Sequence, residues 1–357
     1  MTELAVPRQA IASAARALAH AGRWLDASAL LDAAPPEDPL LALASAQVAI
    51  ELDWFAGTTS ATQRLATATR LADGLDDAGR WDLAFAELRN AYRTLLMTDR
   101  STQAPAPDDE ILRRAAELGA SAPDAVRNGW AEMYQGLIAD NLLDRPAAAP
   151  AHYAAALEAG AGDPLLAREA LRHLGGHDHD AGNHDRALER WHRATELGAA
   201  GGNVPGTLSQ QLLLAVLARD TGNEPAAVAL ATEIARWAGA IGAGSLAGQA
   251  TAFLDGTDPV APPPTTARAT TAATSPAGSA SVATPATTIA SKAKASVAAE
   301  PAAPGTPIAA AESAPSASVA TGRGPQATRP VPALPAEAAP PAIVSFMTAP
   351  LATTPRQ

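Results

Sequence analysis

Between residues 169 and 192 the chain concentrates Glu169, His173, His177, Asp178, His179, Asp180, His184, Asp185 and His192. On a helix, His173 and His177 lie one turn apart, with Glu169 before and Asp180 after them on the same stripe. Two imidazoles and two carboxylates so spaced offer nitrogen and oxygen ligands to a divalent transition metal, and a metal-dependent hydrolase is one chemistry that would use them. A single stripe brings its ligands from one direction only, and the His-Glu-x-x-His pattern of zinc proteases is absent. No cysteine occurs, which excludes disulfides, thiolate ligands and thiol nucleophiles. No serine sits in a nucleophile elbow. Residues 198–202 lack the lysine and the preceding strand of a phosphate-binding loop. The expectation is a non-enzymatic chain with no catalytic residue, no resident metal and no cofactor.

A second pattern is positional. Asp140, Asp180 and Asp220 are offset by forty residues, Ala147, Ala187 and Ala227 follow seven residues later, and Gly182-Asn183 matches Gly222-Asn223. Apolar residues recur at three- and four-residue spacing from residue 8 to residue 254, which predicts helices throughout. Pro and Gly breakers place them near 8–21, 24–34, 39–53, 59–75, 80–98, 108–118, 124–141, 146–160, 163–181, 184–197, 205–221, 224–240 and 244–254. Paired off, these make six helical hairpins and a terminal helix. The stripe Trp130, Met133, Tyr134, Leu137, Ile138 has core spacing, and the other tryptophans, Trp237 included, are expected on packing faces.

Residues 171–197 place Leu171, Leu174, Gly175, Gly182, Ala187, Trp191, Ala194 and Leu197 in a helix–turn–helix order. Small residues at 175, 187 and 194 let two helices approach, Gly182 turns the chain and Trp191 fills the space between. This spacing resembles the tetratricopeptide repeat. Residues 170–175 and 235–238 are also similar to segments of actinobacterial proteins of that class. The resemblance implies an all-α, right-handed solenoid of about six hairpins plus a capping helix over residues 1–256. With Leu171 at the fourth repeat position, it also implies that Glu169, Arg172, His173, Gly176, His179 and Asp180 face a concave groove, solvated when empty. Asp140 and Asp220 then share position thirteen with Asp180, with Arg219 beside them. The groove would bind a protein or peptide segment, and the carboxylate ladder favours a basic one. The family's chaperone-tail binders use a Lys-containing carboxylate clamp, and no lysine precedes Lys292 here. A regulatory ligand-sensing module working with a separate transcription factor is the alternative.

Composition divides the chain. Of 26 basic and 37 acidic residues, only six and four respectively follow Gly256. The acidic first part argues against non-specific nucleic-acid or anionic-membrane binding. Residues 257–357 are Ala, Thr, Pro and Ser with little that could form a core, so disorder is expected there, apart from one apolar run, Ala342-Ile343-Val344-Ser345-Phe346-Met347. Neither a secretory signal nor an uninterrupted apolar span is present. A cytoplasmic protein is the expectation.

Overall fold

Asp-Pro pairs start two of the helices, and the reason is local. Asp38 accepts from Leu40 N and Leu41 N at 2.9 and 3.1 Å, with Pro39 in the first turn. Asp163 accepts from Leu165 N and Leu166 N at 2.9 and 3.3 Å, with Pro164 in the same place. Each carboxylate satisfies amides that have no intrahelical partner, and proline gives up none that is needed.

A computed structural model describes residues 6–98 and 108–256, which belong to one compact unit. Residues 257–357, including the 342–347 run, lie outside the described residues. Among those described, the fold is all-α with no strand. The helices are α1 (Arg8–His20), α2 (Trp24–Asp32), α3 (Pro39–Ala56), α4 (Ala61–Arg70), α5 (Asp77–Met97), α6 (Asp108–Ala120), α7 (Ala125–Asn141), α8 (Ala149–Ala159), α9 (Pro164–Asp180), α10 (His184–Ala200), α11 (Val204–Asp220), α12 (Glu224–Ala240) and α13 (Gly244–Leu254). The helix expected over 59–75 stops at Arg70, and a 3-10 turn covers Ala72–Gly74. Here the chain crosses the start of α3, and a Cβ on Gly74 would lie 2.8 Å from Pro39 Cγ. Helix α5 begins at Asp77 because Asp76 caps it, accepting from Gly79 N at 2.7 Å.

Helices α9 to α12 are each seventeen residues long. Glycines with φ between 69° and 85° follow them at 182, 202, 222 and 242. After α9, Gly182 N bonds His179 O and Asn183 N bonds Asp178 O, and the same pattern recurs at the other three ends. This is the Schellman-type termination that an αL glycine permits. Four equal helices with four equal turns therefore follow one another at half the forty-residue period. Between α7 and α8, Leu142 stands where the turn glycine would be, and Asp144 takes the positive φ, 53°.

Each helix packs on its neighbours in sequence, and the odd-numbered ones from α1 to α9 also pack on one another. The even-numbered helices α10 and α12 bury a single stripe, Ala187, Trp191, Ala194, Gly198 and Ala227, Ala231, Ile234, Ala238. The odd-numbered helices α3, α7 and α9 are buried on several sides, polar residues included. Helix α3 is long and apolar enough in composition to cross a membrane, but 67 % of it is buried among the other helices. The row of helices also returns to its start. Helix α13 packs on α3, and a Cβ on Gly22 would lie 3.1 Å from Ile241 Cδ1. An open repeat array contacts only its neighbours, whereas here α13 also meets α3, far from it in sequence.

Small residues set the helix spacing. A Cβ on Gly175 would lie 2.4 Å from Trp191 Nε1, and that ring is held by its bond to Arg172 O at 2.8 Å. Gly175→Ala is therefore expected to lower stability by about 1–3 kcal/mol, despite alanine's better helix propensity. Urea titration of the two proteins checks this. Tryptophan Trp237 departs from the expected core placement and is 49 % exposed.

Candidate binding site on the inner helices

Helix α9 carries the densest set of ionisable groups, and its neighbours α7 and α11 decide what becomes of them. Asp140 on α7 accepts from Tyr153 Oη on α8 at 3.0 Å and lies 3.0 Å from His177 Nε2 on α9. The Tyr153 ring stacks on His173 at 5.0 Å. One helical turn earlier, Glu169 pairs with Arg168, whose Nη2 donates to Gly206 O on α11 at 2.6 Å. Arg172 Nη1 reaches Ser209 O, also on α11, at 3.4 Å. Both guanidinium groups therefore point between α9 and α11.

The groove-facing assignment had these side chains solvated. Instead Arg168, Glu169 and His173 are 0 % exposed, Arg172 3 % and Gln210 0 %. Several of their atoms have no hydrogen-bond partner: Glu169 Oε1, both His173 ring nitrogens, Arg168 Nε, Arg172 Nε, and the oxygen and nitrogen of the Gln210 amide. His173 Nε2 lies 3.6 Å from Glu169 Oε1, which is an electrostatic contact rather than a hydrogen bond. Leaving such a group unpaired in a protein interior costs about 1–3 kcal/mol. The set holds donors and acceptors together, which decides what could complete it.

The remaining sequence candidates are elsewhere. His179 Nε2 meets Asp220 at 2.8 Å and its Nδ1 lies 3.6 Å from Asp180, so the upper two rungs of the ladder share one imidazole at the partly exposed ends of α9 and α11. Arg219 turns away to Glu224 at 2.8 Å, to Phe253 O at 2.8 Å, and over the Phe253 ring at 3.6 Å. Histidines thus engage all three aspartates, Asp140 through His177, and Asp180 and Asp220 through His179. Among the described residues no three His, Asp or Glu side chains converge as a metal-binding group. Sequence reasoning missed Arg168, Gln210 and the tyrosines. Arg168 lies one turn before Arg172, a spacing that could have flagged it. Gln210 carries no such signal.

Two further polar links tie α5 to α7. Asp82 receives Arg127 Nε and Nη2 at 2.8 and 2.9 Å, both side chains being buried. Asn141 Nδ2 donates to Tyr92 Oη at 2.8 Å. Tyr134 packs edge-on against Tyr92 and Phe85 at 5.5 and 5.1 Å.

Charge states follow from these surroundings. Burial lowers the pKa of His173 and keeps its ring neutral. Burial brings Arg172 down to about 9. Burial also opposes ionisation of Glu169, but Arg168, His173 and Arg172 outweigh it and its pKa falls. For His177, burial works against the charge, yet the bond to Asp140 and the fields of Asp140, Asp180 and Asp178 prevail and raise its pKa. His179 is raised chiefly by its contact with Asp180, against burial, with the hydrogen bond to Asp220 adding to it. A histidine raised in the fold contributes stability that is complete below its unfolded value of about 6.5 and is lost as pH rises through the folded value. The melting temperature is therefore expected to fall as pH rises from about 6 to about 8. His177→Gln together with His179→Gln should flatten that slope, and an unchanged slope would remove these two bridges as its cause.

No family model, curated protein or solved structure matches the chain.

Proposed function

We propose that residues 8–254 are a tetratricopeptide-like solenoid of six helix pairs and a capping helix, acting as a non-enzymatic interaction module. Its ligand is an extended polypeptide segment taken up between α7, α9 and α11, which must part to admit it because Glu169, Arg172, His173 and Gln210 are enclosed in the structure. The observation that carries this is the mixed set of unpartnered atoms on Glu169, Arg172, His173 and Gln210. A metal ion would satisfy only the acceptors and an anion only the donors. An extended main chain presents N–H and C=O groups in alternation, about 3.3 Å per residue, and matches both. The three aspartates support a basic ligand less well, because His177 and His179 already occupy Asp140, Asp180 and Asp220.

The test is selection of peptides from a random display library on the full chain, repeated with Gln210→Leu. That substitution preserves side-chain bulk and removes both amide partners. Selected peptides should bind the parent and lose about tenfold in affinity on the variant, the size of one buried hydrogen bond. Peptides that bind both proteins equally, or none at all, would contradict the proposal.

One observation favours the ligand-sensing alternative. A recess of about 400 Å³ between α11 and α12 is lined by Val204, Leu208, Gln211, Leu230, Ile234 and Trp237. It is mostly apolar, with amide and hydroxyl groups at its edge, and suits a small aromatic molecule. Such a ligand would raise the melting temperature of the parent and not of Trp237→Ala. No shift across a panel of aromatic metabolites would remove this reading.

A further inference from the structure

Asparagine stands at the turn before three successive helices, Asn183 before α10, Asn203 before α11 and Asn223 before α12. Asn183 and Asn223 are exposed, where solvent meets the needs of an amide. Asn203 is 2 % exposed. Its Oδ1 accepts from Gly206 N at 2.9 Å and caps α11, while its Nδ2 has no hydrogen-bond partner. Gly206 makes room for this arrangement, since a Cβ there would lie 2.7 Å from Nδ2 and 2.8 Å from Oδ1. An enclosed donor without an acceptor is unfavourable, and it occurs at the asparagine that lines the recess of about 400 Å³ between α11 and α12.

The recess has a direction. Its two most enclosed lining residues are Asn203 and Ile234, while exposed Glu233 and half-exposed Trp237 mark its mouth. Partly exposed Val204, Leu208 and Leu230 wall the space between. A compound entering past Trp237 therefore meets apolar surface and then, at the inner end, one N–H donor. Among the lining residues only Glu233 is charged, and Arg236 Nε on the same helix already donates to it at 3.0 Å. The Thr207 hydroxyl is committed as a donor to Asn203 O at 2.6 Å.

This lining separates ligand classes. A hydrocarbon would leave Asn203 Nδ2 unpaired. A carboxylate would exchange its hydration for one neutral donor, which does not compensate a buried charge. An ammonium group would set donor against donor. A carbonyl oxygen needs one donor and brings no charge. The part of the Trp237 ring that the fold leaves uncovered suits a flat ring, which gains both buried area and offset stacking.

We infer that the recess binds an uncharged aromatic carbonyl compound, its ring along Trp237 and its carbonyl oxygen accepting from Asn203 Nδ2. This rests on the small-molecule reading above and names its ligand. Asn203 is then the residue that sets specificity. The bound compound bridges Ala199 at the end of α10, the start of α11 and the last turns of α12, so its affinity appears as added stability of the native chain.

The test titrates the full chain with acetylnaphthalene, ethylnaphthalene, naphthoate and naphthylmethanol, followed by NMR on the Asn203 side-chain amide and the Trp237 indole. On the parent, the ketone should shift the Asn203 amide and bind about tenfold more tightly than the ethyl compound, the size of one buried hydrogen bond. Asn203→Asp keeps the oxygen that caps α11 and removes the donor. It should weaken the ketone about tenfold and turn the preference toward naphthylmethanol, whose hydroxyl donates to a carboxylate. Ethylnaphthalene or naphthoate binding the parent as tightly as the ketone would overturn the assignment and leave the small-molecule reading standing. So would a ketone preference that Asn203→Asp leaves unchanged. Binding that survives Trp237→Ala, or no binding by any of the four compounds, would remove both. The comparison among the four is made on the parent, so it decides the assignment even if a variant folds poorly.

Discussion

Trp191→Ala is expected to cost about 3–5 kcal/mol, the range for deleting a buried aromatic ring. Trp191 is 1 % exposed and forms a small cluster with Leu213 and Leu217, so it connects α10 to α11 as well as to α9. Its Nε1 donates to Arg172 O at 2.8 Å, and its ring lies against Gly175, where no side chain intervenes. Alanine would leave a cavity that the rigid turn at Gly182 gives α9 and α10 little freedom to close. Trp191→Phe should lose less, since it keeps most of the ring and gives up only the hydrogen bond and part of the area. Denaturant titration of the three proteins tests the order. A loss below about 1 kcal/mol for alanine would mean that α9 and α10 are not packed through this ring.

Asp82→Ala is the second large effect. The Asp82 carboxyl is pushed up by burial and held ionised by two bonds from Arg127, while the bond to Asp82 is the main cause that raises Arg127 further. Removing the acid leaves a guanidinium with 7 % side-chain exposure and only Asp124, at the end of the helix, to face it. Breaking one side of a buried ion pair costs about 3–5 kcal/mol, whereas replacing both sides with apolar residues of similar volume is often nearly neutral. Asp82→Leu with Arg127→Met should therefore recover most of the stability that Asp82→Ala loses. Additive losses in the double variant would show that the two residues act separately.

The helices were legible in the sequence because proline and glycine punctuate it so regularly. Asp163-Pro164 and Gly182 mark the two ends of α9 unaided. The half-period was missed because residues 198–202 read as a loop, whereas α10 runs on to Ala200 and only Gly202 takes the turn conformation. The forty-residue spacing singles out the three aspartates. Their pairing with histidines is not legible there, since a stripe along one helix does not show that His177 and His179 each reach across to a different neighbouring helix. Burial of the inner face was beyond local reading altogether. It follows from how α9 packs among α7, α8 and α10, and the local periodicity of one helix does not encode which of its faces its neighbours cover.

Denaturant titration of Gln210→Leu in the full chain tests the central claim most directly. Gln210 is fully enclosed, and its amide has no partner on the neighbouring helices. If the amide is held unpaired for a ligand, leucine relieves a buried polar group and stability rises by about 1–3 kcal/mol while peptide binding weakens. If the amide is already paired within the chain, leucine removes those hydrogen bonds and stability falls by about 1–2 kcal/mol. A rise is the result this account predicts, and a fall would contradict it.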